Sequence, residues 1–255
     1  MQLFDSHCHL DFDVFDEDRG QVIENARAAA VDKFMLLGVC ASQWSKLISM
    51  AGSIDGGYYA LGLHPYFIQQ HHAEHIDELI AQLEQCGTDL RLRAIGEIGL
   101  DAECADMDLQ LVLLREQLRL AKDARLPVIL HHRKTLDKLL KLVRESGPER
   151  GVIHAFSGSY EQGRAWVDQG YYLGIGGTIT YPRANKTRDA IKRLPLDAMV
   201  LETDSPDMPM CGYQGQRNEP ARLVDALAAL AELKQCEQAE VASITYTNTK
   251  RLFSL

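Results

Sequence analysis

The chain has 255 residues, of which 46% are hydrophobic and 25% charged, and its formal net charge is −9. That length buries a large core and suits one large α/β unit or two small ones. The negative balance argues against a protein that grips long nucleic acid by bulk electrostatics, but it allows a nucleic-acid substrate held at a bound cation.

Apolar runs of β type recur at 2–7, 33–40, 58–65, 92–99, 127–133, 151–158, 170–177 and 197–206, eight in all. Their near-continuous apolar character predicts strands covered on both faces. Helix-like stretches lie between them, clearest at 106–124, 134–146 and 219–233. In "AKDARLPVIL" a helix ends, Pro127 stops it and a strand begins. No low-complexity segment, repeat or Pro/Gly/Ser linker interrupts the alternation. Unbroken strand–helix repetition predicts a parallel sheet in a single domain over residues 1–255, and eight units predict a closed (β/α)8 TIM barrel. A doubly wound open sheet is the runner-up, and it usually needs fewer strands.

The six cysteines, at 8, 40, 86, 104, 211 and 236, form no C-x-x-C pair. This pattern indicates neither a zinc ribbon nor a redox motif, and it suits reduced thiols in a cytoplasmic protein. "MQLFD" has neither the basic start nor the apolar stretch of a signal peptide, and runs such as "FMLLGV" are too short to cross a membrane. No membrane association and no obligate protein partner are indicated.

The polar residues fall in a regular place. His7 and His9 close the first run, Glu97 the fourth, His131 the fifth and Asp204 the eighth, and His154 lies near the end of the sixth. The C-terminal strand ends of a barrel converge on one face, so these six residues are expected to meet there. His7 and His9, two apart, point to the same side, and Cys8 points away. Four imidazoles and two carboxylates suit zinc, manganese, iron, nickel or cobalt, whereas magnesium alone prefers more oxygen. Six ligands exceed the need of one tetrahedral ion, so two ions sharing a bridging carboxylate are expected. A lone histidine at a strand end is usually just a satisfied polar residue; the joint placement of all six carries the metal reading.

Other histidines read differently. His71, His72 and His75 are expected on a solvated helix face, and His132 is expected to face the helix layer. His64 in "GLHPY" ends the third run and faces the mouth, as a substrate contact or as part of the turn before Pro65.

"FDSHCHLDF", "GLHP", "AIGEIGLD", "HHR", "HAFSG", "LETDSP" and "RNEP", in this order, resemble the TatD-type metal-dependent deoxyribonucleases of the amidohydrolase superfamily. The resemblance spans nearly the whole chain. It implies a two-metal barrel in which His7 and His9 bind one ion, Glu97 bridges, His131 and His154 bind the second, and Asp204 is the acidic ligand beside the nucleophilic water. It also implies DNA or a small phosphoester as substrate and two divalent ions, zinc, manganese or magnesium, as cofactors. Three positions depart from the family's pattern: "GLDAEC" lacks the usual aromatic residue, Ala155 stands for the usual cysteine, and His132 stands for a small residue.

A metal-activated hydroxide is the expected nucleophile, with Asp204 and Glu97 as the catalytic carboxylates. Glu202, on Asp204's side of the eighth run, reads either as a partner to a ligand or as a buried ion pair. Arg133 follows His131 by two and is a candidate phosphate contact. Arg183 opens the basic stretch "RANKTRDAIKR" after the seventh run, which reads either as a phosphate-side contact or as a solvated basic helix. The ligand set determines the nucleophile but not the bond attacked. A phosphodiesterase is therefore the leading expectation, and a hydrolase of a small ester, amide or phosphate is the alternative.

Overall fold

The computed structural model describes residues 1–255. Eight parallel strands form one sheet in sequential order: β1 Leu3–Cys8, β2 Val31–Leu37, β3 Gly57–Leu61, β4 Leu92–Asp101, β5 Val128–Arg133, β6 Gly151–Ile153, β7 Tyr171–Ile175 and β8 Met199–Leu201. Helices α1 Arg19–Ala28, α2 Trp44–Ser53, α3 His75–Gln85, α4 Met107–Asp123, α5 Leu136–Ser146, α6 Tyr160–Asp168, α7 Asn185–Arg193 and α8 Leu223–Lys234 follow the strands in turn, and α9 Gln238–Leu252 ends the chain. The closure between β1 and the segment after β8 uses site residues themselves. Asp204 N–H donates to His7 O at 2.9 Å, and His9 N–H donates to Ser205 O at 2.8 Å. This is the predicted (β/α)8 barrel.

The strand bounds differ from expectation in an instructive way. β6 and β8 stop at Ile153 and Leu201, well short of the apolar runs 151–158 and 197–206. Their C-terminal parts are loops that stay buried, as Phe156, Thr203 and Ser205 show, so hydrophobic pattern overstates strand length here. β4 instead runs on to Asp101, so Glu97 lies within the strand rather than at its end. The helix expected over 219–233 begins only at Leu223, because Pro220–Arg222 forms a 3-10 turn first.

The barrel interior is layered. Phe4, Met35, Leu37, Ala60, Ala94, Ile129, Val152 and Val200 fill the lower part, where Leu252 and Phe253 close it beneath. A larger apolar core lies between sheet and helices, to which α5 contributes Leu136, Leu139, Leu140 and Val143 at helical spacing. α6 starts on a reciprocal capping box, Ser159 with Gln162, which satisfies two otherwise orphaned N–H groups. No helix is long and apolar enough to cross a membrane, and all six cysteines are unpaired.

Candidate metal centre

Two of the convergent residues sit on irregularities in the sheet. Along β1, Asp5 pairs with Phe34 and Cys8 with Leu36, so β1 carries one extra residue around His7. Along β4, Ile95 pairs with Val128 and Ile98 with Leu130, an extra residue around Glu97. A bulge re-aims the side chain it carries. Asp204 lies three residues past β8 with φ of 60°, a left-handed conformation that a non-glycine residue adopts only when its surroundings hold it. Asn218 supplies that hold. Its buried Nδ2 donates to Thr203 O, Asp207 O and Met208 O at 2.8, 2.9 and 3.3 Å.

Four atoms then converge. His7 Nε2 lies 3.3 Å from His9 Nε2, 3.0 Å from Glu97 Oε2 and 3.4 Å from Asp204 Oδ1. His9 Nε2 lies 3.6 Å from both carboxylate oxygens. Five edges of one polyhedron are thus 3.0–3.6 Å. A tetrahedron with 2.0–2.1 Å metal–ligand bonds has edges of about 3.3–3.4 Å. The spacing is that of a cage around one small divalent ion. His7, His9 and Glu97 are buried and Asp204 is largely so.

The other oxygen of Glu97 faces a second group. Oε1 lies 3.2 Å from His131 Nδ1 and 2.9 Å from His64 Nε2. The two imidazoles differ in what they can offer. His131 Nε2 lies 3.1 Å from Asp101 Oδ2, so its N–H donates there and Nδ1 presents a lone pair toward Glu97. In the neutral ring that lone pair faces Glu97 Oε1 at 3.2 Å, a contact that a bound cation satisfies, as does a second ring proton, which the bonds to Asp101 and Glu97 favour against burial by raising the pKa of His131. His64 has the opposite arrangement. Its Nδ1 accepts the Tyr66 N–H at 2.9 Å, so in the neutral ring the proton sits on Nε2 and is donated to Glu97. Burial, in spite of Glu97, pushes His64 down to about 4, which keeps that ring neutral. His64 therefore orients the carboxylate instead of ligating.

His154 stacks on His7 with ring centroids 3.6 Å apart, and its Nε2 lies 3.5 Å from Asp204 Oδ2. Its Nδ1 is 3.0 Å from Glu202 Oε1, out of line for a hydrogen bond but within ion-pair range. Glu202 Oε1 also accepts the Ala155 N–H at 2.6 Å. Burial opposes charging His154, but Glu202, Asp204 and Glu97 outweigh it and hold its pKa well above the ordinary value. Burial likewise opposes ionisation of Glu97 and Asp204, yet the facing imidazoles hold both well below the usual carboxylate range. Both carboxylates are thus acceptors at neutral pH.

All six residues singled out as ligands come together at one mouth, which opens into a cavity of about 580 Å³. His64 and Arg133 also line it. The Arg133 guanidinium is occupied, however, by Glu103 at 2.9 and 2.7 Å. Arg183 lies in a separate hollow with Thr178 and Pro209, exposed and 5.0 Å over the Tyr181 ring. Of the remaining basic stretch, Arg188 is tied to Ile179 O and Glu232, and Arg193 lies over Tyr160. Two histidines depart from expectation. His71 is buried and bonds His64 O at 2.9 Å, because the chain leaves a 3-10 turn there and α3 begins only at His75. His132 lines the mouth cavity instead of facing the helix layer. Sequence reasoning passed over Asp101 and Asn218. The "GLD" of "AIGEIGLD" and the "RNEP" run contained them, but only the extension of β4 and the fold-back of the last loop reveal their partners.

Comparison with known proteins sets the chain among metal-dependent hydrolases. The chain is 42% identical over 257 residues to the uncharacterized metal-dependent hydrolase YjjV of Escherichia coli K12, covering 100% of this chain and 98% of that one. It is 41% identical over 266 residues to an uncharacterized metal-dependent hydrolase of Haemophilus influenzae, covering both chains in full. The crystal structure of the E. coli protein, described as a TatD homolog, superposes with a TM-score of 0.95 over 99% of this chain and 98% of that one. A TatD-family hydrolase of Entamoeba histolytica, 22% identical, shares the fold with a TM-score of 0.87 over 99% of this chain and 98% of that one. The family model described as TatD related DNase matches residues 4–254, and the chain belongs to that family.

Proposed function

We propose that this metal-dependent hydrolase cleaves phosphodiester bonds of DNA at a centre of two divalent ions. The observation that carries the reading is the cage of His7, His9, Glu97 and Asp204, whose edges fit a small ion, beside a second oxygen of Glu97 that opposes a lone pair of His131. His7, His9, Glu97 and Asp204 would hold one ion, and Glu97, His131 and His154 the other. Mixed imidazole and carboxylate donors favour zinc or manganese over magnesium. When bound, such ions supply an acidified water and positive charge opposite the phosphoryl oxygens.

The chain's own groups supply the rest. Asp204 offers Oδ1 to the cage, and its Oδ2, 3.5 Å from His154 Nε2, would orient the attacking water and accept its proton. His64, neutral and protonated at Nε2, holds Glu97 in its bridging orientation. Asp101 and Glu202 hold His131 and His154 from behind. Arg183, exposed beyond the mouth, is a candidate substrate contact, whereas Arg133 at the rim is held by Glu103.

The test is turnover of a single-stranded oligonucleotide and of small ester, amide and phosphomonoester panels by protein reloaded with zinc or manganese. Oligonucleotide cleavage that chelation abolishes and metal restores is expected. Turnover confined to an ester, amide or phosphomonoester would replace the reading by that of a small-molecule hydrolase on the same centre.

A further inference from the structure

The mouth cavity does not end at the metal centre. It continues into a groove of about 720 Å³, and the two share Phe12, Val39, Phe67 and Asp207. Phe12 stacks on His9, 4.7 Å between centroids, so one wall of the groove rests directly on the centre. Phe67 lines both mouth and groove, and its neighbour Tyr66, packed edge to face on it at 5.4 Å, lines the mouth and is 69% exposed. Val14, on the groove's outer edge, is 53% exposed.

The charges say what can lie there. Every cation around mouth and groove already has a carboxylate partner. Arg133 and Lys134 are held by Glu103, Lys46 by Asp13 and Asp16, and Arg217 by Asp18 and Glu219. The groove itself is lined by Asp11, Asp13 and Asp207. A phosphate entering it would meet carboxylates. A neutral planar group would meet ring faces. The amide of Gln43 is also committed, to Val39 N–H and to Asp11, so little is left to read a ligand's polar edge.

We propose that the junction of mouth and groove is a nucleobase subsite, in which the base of the nucleotide joined to the scissile phosphate stacks on Phe67 and Tyr66. The inference rests on the phosphodiesterase reading and specifies it. Recognition is by ring face, so all four bases are accepted, and by metal-held phosphate, so no rim cation is needed. The aromatic pair is fixed to the centre by its backbone, since Tyr66 N–H holds His64 Nδ1. Truncating the side chains leaves that bond in place, and Phe67→Trp keeps a ring against His64, which Phe67 meets edge-on at 6.1 Å.

The experiment uses two diesters with one leaving group, thymidine 5′-(p-nitrophenyl phosphate) and methyl p-nitrophenyl phosphate. They differ only in the nucleoside. Wild type, Tyr66→Ala, Phe67→Ala, the double variant and Phe67→Trp are compared after metal reloading, with metal content measured on each. Base stacking is worth about 1–3 kcal/mol, so the double variant should lose roughly five- to 150-fold in kcat/KM on the nucleoside ester. Its rate on the methyl ester should stay within about twofold, and Phe67→Trp should keep wild-type discrimination. Equal loss on both esters at full metal content would make the pair structural and overturn the subsite. Undiminished preference for the nucleoside ester in the double variant would overturn it too. Failure of metal-loaded wild type to turn over either ester would instead reject the phosphodiesterase reading, and the subsite with it.

Discussion

Gly174 on β7 gives the sharpest test of how the centre is held. A Cβ built there would lie 2.6 Å from Glu202 Cδ and 2.9 Å from Oε1, and closer still to Oε2. The carboxylate is buried and cannot swing into solvent. In Gly174→Ala it must leave the Ala155 N–H and the neighbourhood of His154 Nδ1. Removing one partner of a buried charged pair costs about 3–5 kcal/mol. Without a clash, glycine to alanine in a compatible conformation gains about 0.4–1 kcal/mol from the unfolded chain. The two outcomes have opposite signs. At about 2–4 °C per kcal/mol for a chain this size, the clash predicts a Tm lowered by roughly 6–20 °C, and its absence a small rise. A metal titration of the same variant should show affinity weakened about 10–100-fold, because His154 has lost the group that orients it. Glu202→Gln, which keeps the shape and the bond from Ala155 N–H but not the charge, should lower the Tm less than Gly174→Ala and still weaken metal binding. A Gly174→Ala protein with unchanged Tm and unchanged affinity would refute the role given to Glu202.

Three further outcomes follow from individual side chains. Asp5 is pushed up to about 7 by burial, which outweighs its bonds to Thr203, so between its ordinary 3.8 and 7 the folded chain holds a proton that the unfolded chain lacks. Its contribution is complete below 3.8 and is lost as pH rises through 7, so Tm should fall over that window in wild type more steeply than in Asp5→Asn; parallel Tm–pH curves would contradict this. Asn218→Ala leaves the Thr203, Asp207 and Met208 carbonyls without their shared donor, so urea unfolding should show a loss of about 1–3 kcal/mol, with weaker metal binding through Asp204; an unaltered midpoint and affinity would count against the clamp. Asp101→Asn removes the carboxylate behind His131, and titration with zinc should show the affinity of one of two ions reduced about 10–100-fold, an effect that unchanged binding of both would exclude.

Much of this site was legible before any coordinates, and the reason is topological. A parallel barrel brings every strand's C-terminal end to one face, so residues as far apart as His7 and Asp204 could be assigned to one pocket from their positions in the apolar runs alone. What the periodicity does not encode is the aim of each side chain. The extra residues in β1 and β4 that turn His7 and Glu97 inward leave no mark on hydrophobic pattern. The role of His64 depends on a backbone N–H two residues later, and its spacing is equally compatible with ligation. Glu202 read as ion pair or as partner to a ligand, and the same oxygen, set against both Ala155 N–H and His154, serves both. His71 looked solvated because its neighbours are polar, but a 3-10 turn carries it under the loop to His64 O. The basic stretch after β7 reads from sequence either as a phosphate contact or as a solvated basic helix. Arg188 and Arg193 spend their charge on fixing α7, while Arg183 stays exposed.

The central claim is that His7, His9, Glu97 and Asp204 enclose one ion while His64 stays outside the coordination sphere. Anomalous diffraction at the zinc edge from zinc-loaded crystals tests it directly. The account predicts a peak about 2.0–2.2 Å from His7 Nε2, His9 Nε2, Glu97 Oε2 and Asp204 Oδ1, a second peak at Glu97 Oε1 and His131 Nδ1, and His64 Nε2 beyond bonding distance of both. A zinc bound directly to His64 Nε2, or no peak among these residues, would contradict it.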